Sequence, residues 1–419
     1  MFRAILNAFR ISEIRNKILF TIGILAVYRF GANLTIPGVD PSAILEQVQT
    51  GVVGMLDLFS GGALGNFAVF SLGIMPYITS SIIMQLLQVV IPKLEQLAKE
   101  GETGRRKINQ ITRYVTVVLA LIQSIAMTFF FRNFGAIPNW DFMNVTLIVL
   151  TLVAGTTVIM WLGELINIHG IGNGISLIIF ASIVSRIPGS MISLFRLRPN
   201  ILYILAFVVI AVLVVVAIVA IQQGERKIPV QYAKRIVGRK VFGGQSTYIP
   251  LKVNQSGVMP IILAVSVMLF PATIAQFIPN RFVQSFADAL SPTIAGRVNP
   301  IYIAVYALLI IVFAYFYTAI TFNPVDTADN LRKYGGYIPG IRPGKNTADY
   351  LTNVLNRITL PGAIFLTLIA ILPEILITLM ELPFQFGGTS ILISVSVALE
   401  TMRQLESQLL MRDYEGFLK

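Results

Sequence analysis

Few residues in this chain could make or break bonds. There is one histidine, His169, and no cysteine among 419 residues. That removes disulfide frameworks, thiolate metal sites and cysteine nucleophiles, and a Ser-His-Asp triad or a metal cluster lacks its parts. The stretch GIRPGKN (340–346) resembles a phosphate loop, but its glycines are too close together and Asn346 stands where Ser or Thr is needed. Direct nucleotide binding is rejected, no cofactor or metal is expected, and the chain does not read as an enzyme. What remains is the exclusion of water by apolar side chains. Ile74 and Ile78 stand at i, i+4, as do Ile175 and Ile179, so each pair presents two β-branched side chains on one helix face.

Long apolar runs must position these residues. Hydrophobic residues make up 55% of the chain and charged ones 12%, against roughly 25% charged in a soluble domain, and mean hydropathy is +0.77. Ten runs approach the roughly 20 residues needed to cross a bilayer: about 18–36, 67–91, 111–131, 143–166, 171–188, 201–221, 257–278, 300–322, 358–380 and 386–405. The first is preceded by Arg15 and Lys17 but carries Arg29 and continues into LTIPGVDP without a small-x-small cleavage site; it is expected to be a retained span. The fold class is an all-α polytopic membrane protein.

With the N-terminus cytoplasmic, most of the 32 Lys and Arg fall in the N-terminal tail, in the loops after spans two, six and eight, and at the C-terminal end. Both termini are then cytoplasmic by the positive-inside rule. The net charge of +12 reads as orientation signal and cytoplasmic surface rather than a nucleic-acid domain.

Ten spans divide into two halves of five with opposite orientation. GIMPYI (73–78) lies in the second span of the first half and GVMPII (257–262) in the second span of the second half. GNGISLII (172–179) opens the fifth span and GGTSILIS (387–394) the tenth; setting Ser176 against Ser390 matches Gly174 to Gly388 and Ile179 to Ile393. Two matched pairs in corresponding helices are the mark of an inverted-topology repeat. Ile262 and Ile393 thereby join Ile74, Ile78, Ile175 and Ile179. The six are either packing residues or an apolar ring closing a shared axis, since hydrophobic constrictions gate by dewetting.

Before span two, residues 37–66 form an outer loop without Lys or Arg, containing GMLDLFSGGALGNF. Gly61 and Gly62 spoil a stable helix there. A short, weakly held apolar segment in this place is either a stopper or an interfacial re-entrant turn. On the cytoplasmic side, loop 222–256 shows two stretches, VQYA and STYIPL, that alternate enough for strands, around a basic Gly-rich turn, GRKVFGG. With loop 323–357 it projects ordered basic tips, either orientation signals or a docking surface for a cytoplasmic partner.

Several ordered motifs carry a family resemblance: SGGAL before GIMPYI, GETGRRK (101–107), WLGE (161–164), GIGNGIS (170–176), NPVDTADNL (323–331), PGIRPG (339–344) and FGGTS (386–390). Together, nearly end to end, they resemble the SecY family, the channel subunits of bacterial protein translocation. Tyr248 departs from it, standing where a His is common. The resemblance implies two halves, 1–188 and 189–419, hinged around an hourglass pore that passes unfolded secretory polypeptides and releases apolar segments sideways into the bilayer between spans 2/3 and 7/8. It implies a pore ring of Ile74, Ile78, Ile175, Ile179, Ile262 and Ile393. The plug, at about 57–66, would include Asp57, Leu58, Phe59, Ser60, Gly61, Gly62, Ala63 and Leu64. Docking of the SecA motor ATPase or the ribosome would fall on Lys234, Arg235, Arg239, Lys240, Arg342 and Lys345. It also implies SecE and SecG as small membrane partners, signal peptides and nascent chains as substrates, and residence in the bacterial plasma (inner) membrane. The rival is an ion- or proton-coupled secondary transporter, which also uses inverted repeats but needs ionisable residues facing the bundle at mid-membrane. The candidates in the apolar runs are Arg29, Glu164, Glu374 and Glu400, none of them in the repeated GIMPYI/GVMPII and GNGISLII/GGTSILIS stretches.

Overall fold

In the computed structural model each apolar run falls on a helix. The structure describes residues 9, 11–42, 44, 57, 60–132, 135–197, 201–232, 235–237, 240–242, 246–277, 281–291, 293–294, 297–380 and 388–416. The helices are α1 (Ser12–Gly31), α2 (Met75–Val90), α3 (Pro92–Lys99), α4 (Glu102–Arg132), α5 (Phe142–His169), α6 (Gly174–Leu197), α7 (Ile201–Gln223), α8 (Met259–Phe277), α9 (Arg281–Ala289), α10 (Pro300–Thr321), α11 (Pro324–Lys333), α12 (Lys345–Met380) and α13 (Gly388–Gly416). The strands are β1 (Glu225–Tyr232), β2 (Arg235–Val237), β3 (Lys240–Phe242), β4 (Ser246–Lys252), β5 (Thr293–Ile294), β6 (Arg297–Val298) and β7 (Gly336–Tyr337).

Among the described residues, four helical stretches are long and apolar enough to cross a membrane: Glu102–Arg132, Phe142–His169, Pro300–Lys333 and Lys345–Leu372. A fifth is α2 taken together with α3, the pair bent by 100°. Pro92 opens α3 and Ile91 before it is extended, as a residue preceding proline must be. Shorter apolar stretches lie at Gly174–Gly189, Val208–Gln223 and Met259–Met268. Helix α2 begins later than the apolar run suggested, at Met75 rather than near residue 67, because residues 61–74 are in turns.

In the first half of the chain α2 packs on α4, α4 on α5 and α5 on α6, with α1 against both α5 and α6. In the second, α8 packs on α10, α10 on α12 and α12 on α13, with α7 against both α12 and α13. Each pair in the first set has its counterpart, in chain order, in the second. The sets are joined where α6 meets α13 and α4 meets α8. Small residues permit the tightest approaches: a Cβ added at Gly155 would lie 2.0 Å from the carbonyl oxygen of Val69, and one at Gly174 2.0 Å from that of Gly163. Hydroxyls inside the helices bond back one turn, as Thr116 does to Thr112 and Thr367 to Ala363, which leaves no helix hydroxyl of these pairs stranded in apolar surroundings.

The main apolar core draws on α1, α2, α5, α6, α7, α8, α10, α12 and α13. A second core gathers Ile36, Ile44, Leu64 and Leu72 and holds Phe67 edge-on to Phe131, ring centroids 5.2 Å apart. A third belongs to the polar loops: Ile228, Val230 and Leu251 of the sheet pack against Leu331, Ile338, Leu351 and Val354. There β1 pairs antiparallel with β4 from Glu225↔Lys252 to Gln231↔Ser246, and also with β7. The two expected strands are present, but between them β2 and β3 form a further antiparallel pair that begins ahead of the Gly-rich turn and ends inside it, with Ile236 opposite Val241. The sequence pattern concealed it because three-residue strands are too short to show alternation.

Candidate functional site

The two MP motifs make the same local geometry. Gly73 and Gly257 have φ of +56° and +64°, left-handed values that favour glycine. A helix starts two residues later in each case, at Met75 and Met259, with Pro76 and Pro260 in the first turn, where a missing N–H is harmless. The first intrahelical bonds also correspond: Ile78 N donates to the Ile74 carbonyl at 3.0 Å and Ile262 N to the Val258 carbonyl at 3.2 Å. Ile78 and Ile262 are thus delivered one turn into α2 and α8.

All six isoleucines lie in one apolar cluster. Ile74, Ile78, Ile179, Ile262 and Ile393 are buried in it, and Ile175 packs against it half-buried. They come from four helices, α2, α6, α8 and α13, two from each half of the chain. Such a cluster offers water no partner and resists wetting.

Segment 57–66 sits beside this cluster and contributes Ala63 to it. Leu58 and Phe59 lie outside the described residues; Asp57, Ser60, Gly61, Ala63 and Leu64 are buried, and Gly62 is half-buried. Asp57, 2% exposed, organises the turn. Its Oδ1 accepts from Gly65 N at 2.9 Å and its carbonyl from Gly62 N at 3.0 Å, while Ser60 Oγ donates to that carbonyl at 3.0 Å and accepts from Leu64 N at 3.1 Å. The segment is not weakly held, as its composition suggested. Arg29 Nη1 donates to the Gly61 carbonyl at 2.7 Å, the Tyr28 hydroxyl donates to the Ser60 carbonyl at 3.1 Å, and Arg186 Nη1 lies 2.7 Å from Asp57 Oδ2. Tyr28 shares a 2.6 Å hydrogen bond with Ser182 and stacks on Phe70, centroids 5.9 Å apart. Tyr28, Ser182 and Arg186 were missed from sequence. The opposite charges alone did not single these partners out, because stretch 37–66 carries Asp40 and Glu46 as well as Asp57.

Among the described residues, the remaining ionisable side chains of the apolar runs form no mid-membrane relay. Glu164 Oε1 pairs with Arg113 Nε at 2.6 Å, Glu400 is exposed, and the side chain of Glu374 lies outside the described residues.

On the polar loops, Arg342 and Lys345 are exposed. Gly340 and Gly344 flank Arg342 with φ of +82° and +101°, and Thr347 Oγ1 donates to the Arg342 carbonyl at 3.0 Å, so the backbone of the tip is fixed. Arg235 and Lys240 stand in β2 and β3, while Lys234 and Arg239 lie outside the described residues. Lys227 Nζ lies over the Tyr248 ring, 4.8 Å from its centroid, a cation–π contact that involves the residue departing from the family pattern. On α3 the ammonium of Lys99 is held above its ordinary pKa by the hydrogen bond and charge of Glu95, with a smaller contribution from Asp326.

Apolar helices paired in two matching sets, meeting at a shared apolar cluster, give the chain the fold of solved protein-conducting channels. One such structure, of SecY with a plug domain described as stabilising the closed state of the translocation channel and maintaining a membrane seal, matches with a TM-score of 0.64 and 21% identity, covering 94% of this chain and 92% of that one. Another, Sec61 in the canine ribosome–channel complex from the endoplasmic reticulum, matches with a TM-score of 0.62 and 20% identity over the same shares. The chain belongs to the SecY family: the SecY family model matches residues 68–402, and the Protein translocase subunit SecY of Halalkalibacterium halodurans is 48% identical over 433 residues, covering 100% of both chains. It is accordingly a multi-pass membrane protein.

Proposed function

We propose that this chain is the protein-conducting channel of a bacterial protein translocase, passing unfolded secretory polypeptides across the plasma membrane and releasing apolar segments sideways into the bilayer. The observation that carries the reading is the joint position of the six isoleucines and segment 57–66: four helices from both halves supply one buried apolar cluster, and an outer segment is seated against it. In this reading the isoleucines form the ring of an hourglass pore and the segment is its plug. The helices holding the ten apolar runs are ten spans in two inverted halves, 1–188 and 189–419, with both termini cytoplasmic. The matching helix pairs and the matched starts of α2 and α8 support that division. The seam that opens sideways runs between α2/α4 and α8/α10, where α4 meets α8.

The basic tips, Lys234, Arg235, Arg239, Lys240, Arg342 and Lys345, receive the SecA motor or the ribosome; SecE and SecG are the small membrane partners. The chain itself binds no nucleotide and carries out no catalysis. A coupled transporter is disfavoured by the pairing of Glu164 with Arg113 and of Arg29 with the plug backbone, since both charges are used for structure.

The test is ATP-driven import of a secretory precursor into vesicles holding the purified chain with SecE, SecG and SecA. Import that depends on this chain is expected. Solute uptake without polypeptide import would overturn the reading.

A further inference from the structure

The polar contacts that hold segment 57–66 are unequally shared between the two halves. Among the described residues its side-chain partners outside the segment are Tyr28 and Arg29 of α1, Arg186 of α6, and Ser71, which donates to the Ala63 carbonyl at 3.0 Å. All belong to the first half. Ser182 and Arg186 are one turn apart on α6 and so share a face; Ser182 holds Tyr28, and its Cα would lie 3.0 Å from a Cβ placed on Gly61. Among the described residues Arg186 alone forms an ion pair with Asp57, a carboxylate 2% exposed, while Arg186 itself is 37% exposed.

From this geometry we propose that Arg186 is the positioning residue that keeps the plug seated, and that plug release is a step separate from parting of the halves. The inference rests on reading 57–66 as the plug. The halves meet at α6–α13 and α4–α8. Separating α4 from α8 breaks none of the Tyr28, Arg29 or Arg186 contacts, so the plug travels with the first half until Asp57 leaves Arg186. Without Arg186 the seated state would hold an uncompensated buried carboxylate, the costly way to break such a pair. Release then becomes the favourable outcome for Asp57, because it restores the carboxylate to water. Charge, more than side-chain bulk, controls the seat.

The experiment is the resting ion conductance of the purified translocase in planar bilayers. Arg186→Gln is expected to raise resting open probability about tenfold, Arg186→Lys to stay near wild type, and the double variant Asp57→Asn/Arg186→Gln to fall well below the single one, because neither partner is then left charged and alone. Misfolding is separated from plug release by a disulfide. A Cβ built on Gly61 would lie 3.2 Å from the Ser182 Cβ, a few tenths of an ångström inside the 3.5–4.5 Å spacing typical of disulfides, so a small shift brings the pair into range, and the chain has no cysteine of its own. Oxidised Gly61→Cys/Ser182→Cys in the Arg186→Gln background should restore the seal, and reduction should release it. A leak that survives oxidation overturns the proposal. So does a tight Arg186→Gln channel beside a leaking deletion of 57–66, which would leave the plug reading intact. A deletion that does not leak overturns the plug reading itself, and the proposal with it.

Discussion

Tyr28 and Ser182 join α1 to α6 through a hydrogen bond of 2.6 Å between their hydroxyls. The same place in the second half is taken by Gln222 and Ser396, 2.9 Å apart, which join α7 to α13. Ser396 follows Ser390 by the interval at which Ser182 follows Ser176, so the register set by the two Gly-Ser motifs extends another two turns. In each half a polar pair ties the first long helix to the fifth. Among the described residues, only the pair in the first half also touches segment 57–66.

That asymmetry separates two variants. Tyr28→Phe keeps the ring stacked on Phe70 but removes the hydroxyl from both Ser182 and Ser60, a loss of about 1–2 kcal/mol at roughly 1 kcal/mol per hydrogen bond. It is expected to raise resting conductance severalfold. Gln222→Leu, at the matching place, should lower the melting temperature of the detergent-solubilised protein and leave conductance at the wild-type level. Equal leaks from both variants would refute the assignment.

The seal is tested at Ile78 and Ile262. Their joint replacement by Asn puts amides one turn into α2 and α8, where apolar neighbours now exclude water. Loss of the dewetting barrier should give a resting ion current in single-channel recordings. An unchanged current would move the constriction elsewhere.

The sideways opening is tested along α4 and α8, which form one of the two contacts that join the two sets of helices. Because the chain lacks cysteine, engineered pairs can be scanned without background. Some should cross-link at rest and stop export until reduced. Full export by every cross-linked pair would show that the seam does not open there.

Arg342→Glu tests docking. One charge among the many Lys and Arg of the polar loops cannot reverse a topology set by their summed bias, whereas a reversed charge at a contact costs several kcal/mol. Motor-driven import should be lost while a protease map of the loops stays normal. Normal import would reduce Arg342 to an orientation signal.

Gly155→Ala probes helix packing. The added methyl would meet the carbonyl oxygen of Val69 at 2.0 Å, and overpacking of this kind costs about 1–3 kcal/mol. A lower melting temperature is expected, with import unaffected below it.

What could be read from the sequence was mostly local or periodic. The apolar runs, the helical spacing of Ile74/Ile78 and Ile175/Ile179, and the repeated Gly–Met–Pro signal are short-range patterns, and each corresponds to a helix or a helix start. The seat of segment 57–66 was not legible, because Arg29 meets Gly61 and Arg186 meets Asp57 across long stretches of chain that no periodicity connects. The start of α2 was misplaced for a related reason: residues 67–74 are as apolar as a span, yet they lie in turns. The pairing of β1 with β7, from two different loops, likewise depends on the helices between them bringing the loops together.

That pairing has a mechanical consequence. Gln231 and Tyr232 are bonded in register to Tyr337 and Gly336, and the Tyr337 hydroxyl donates to Gln231 Oε1 at 3.1 Å. The loop between α7 and α8 and the loop between α10 and α12 are therefore tied together through β1 and β7 over a shared apolar core. A force applied at Arg342 cannot bend one loop alone. A push on that tip is expected to reach α7, α8, α10 and α12 together, because these are the helices that the two joined loops connect.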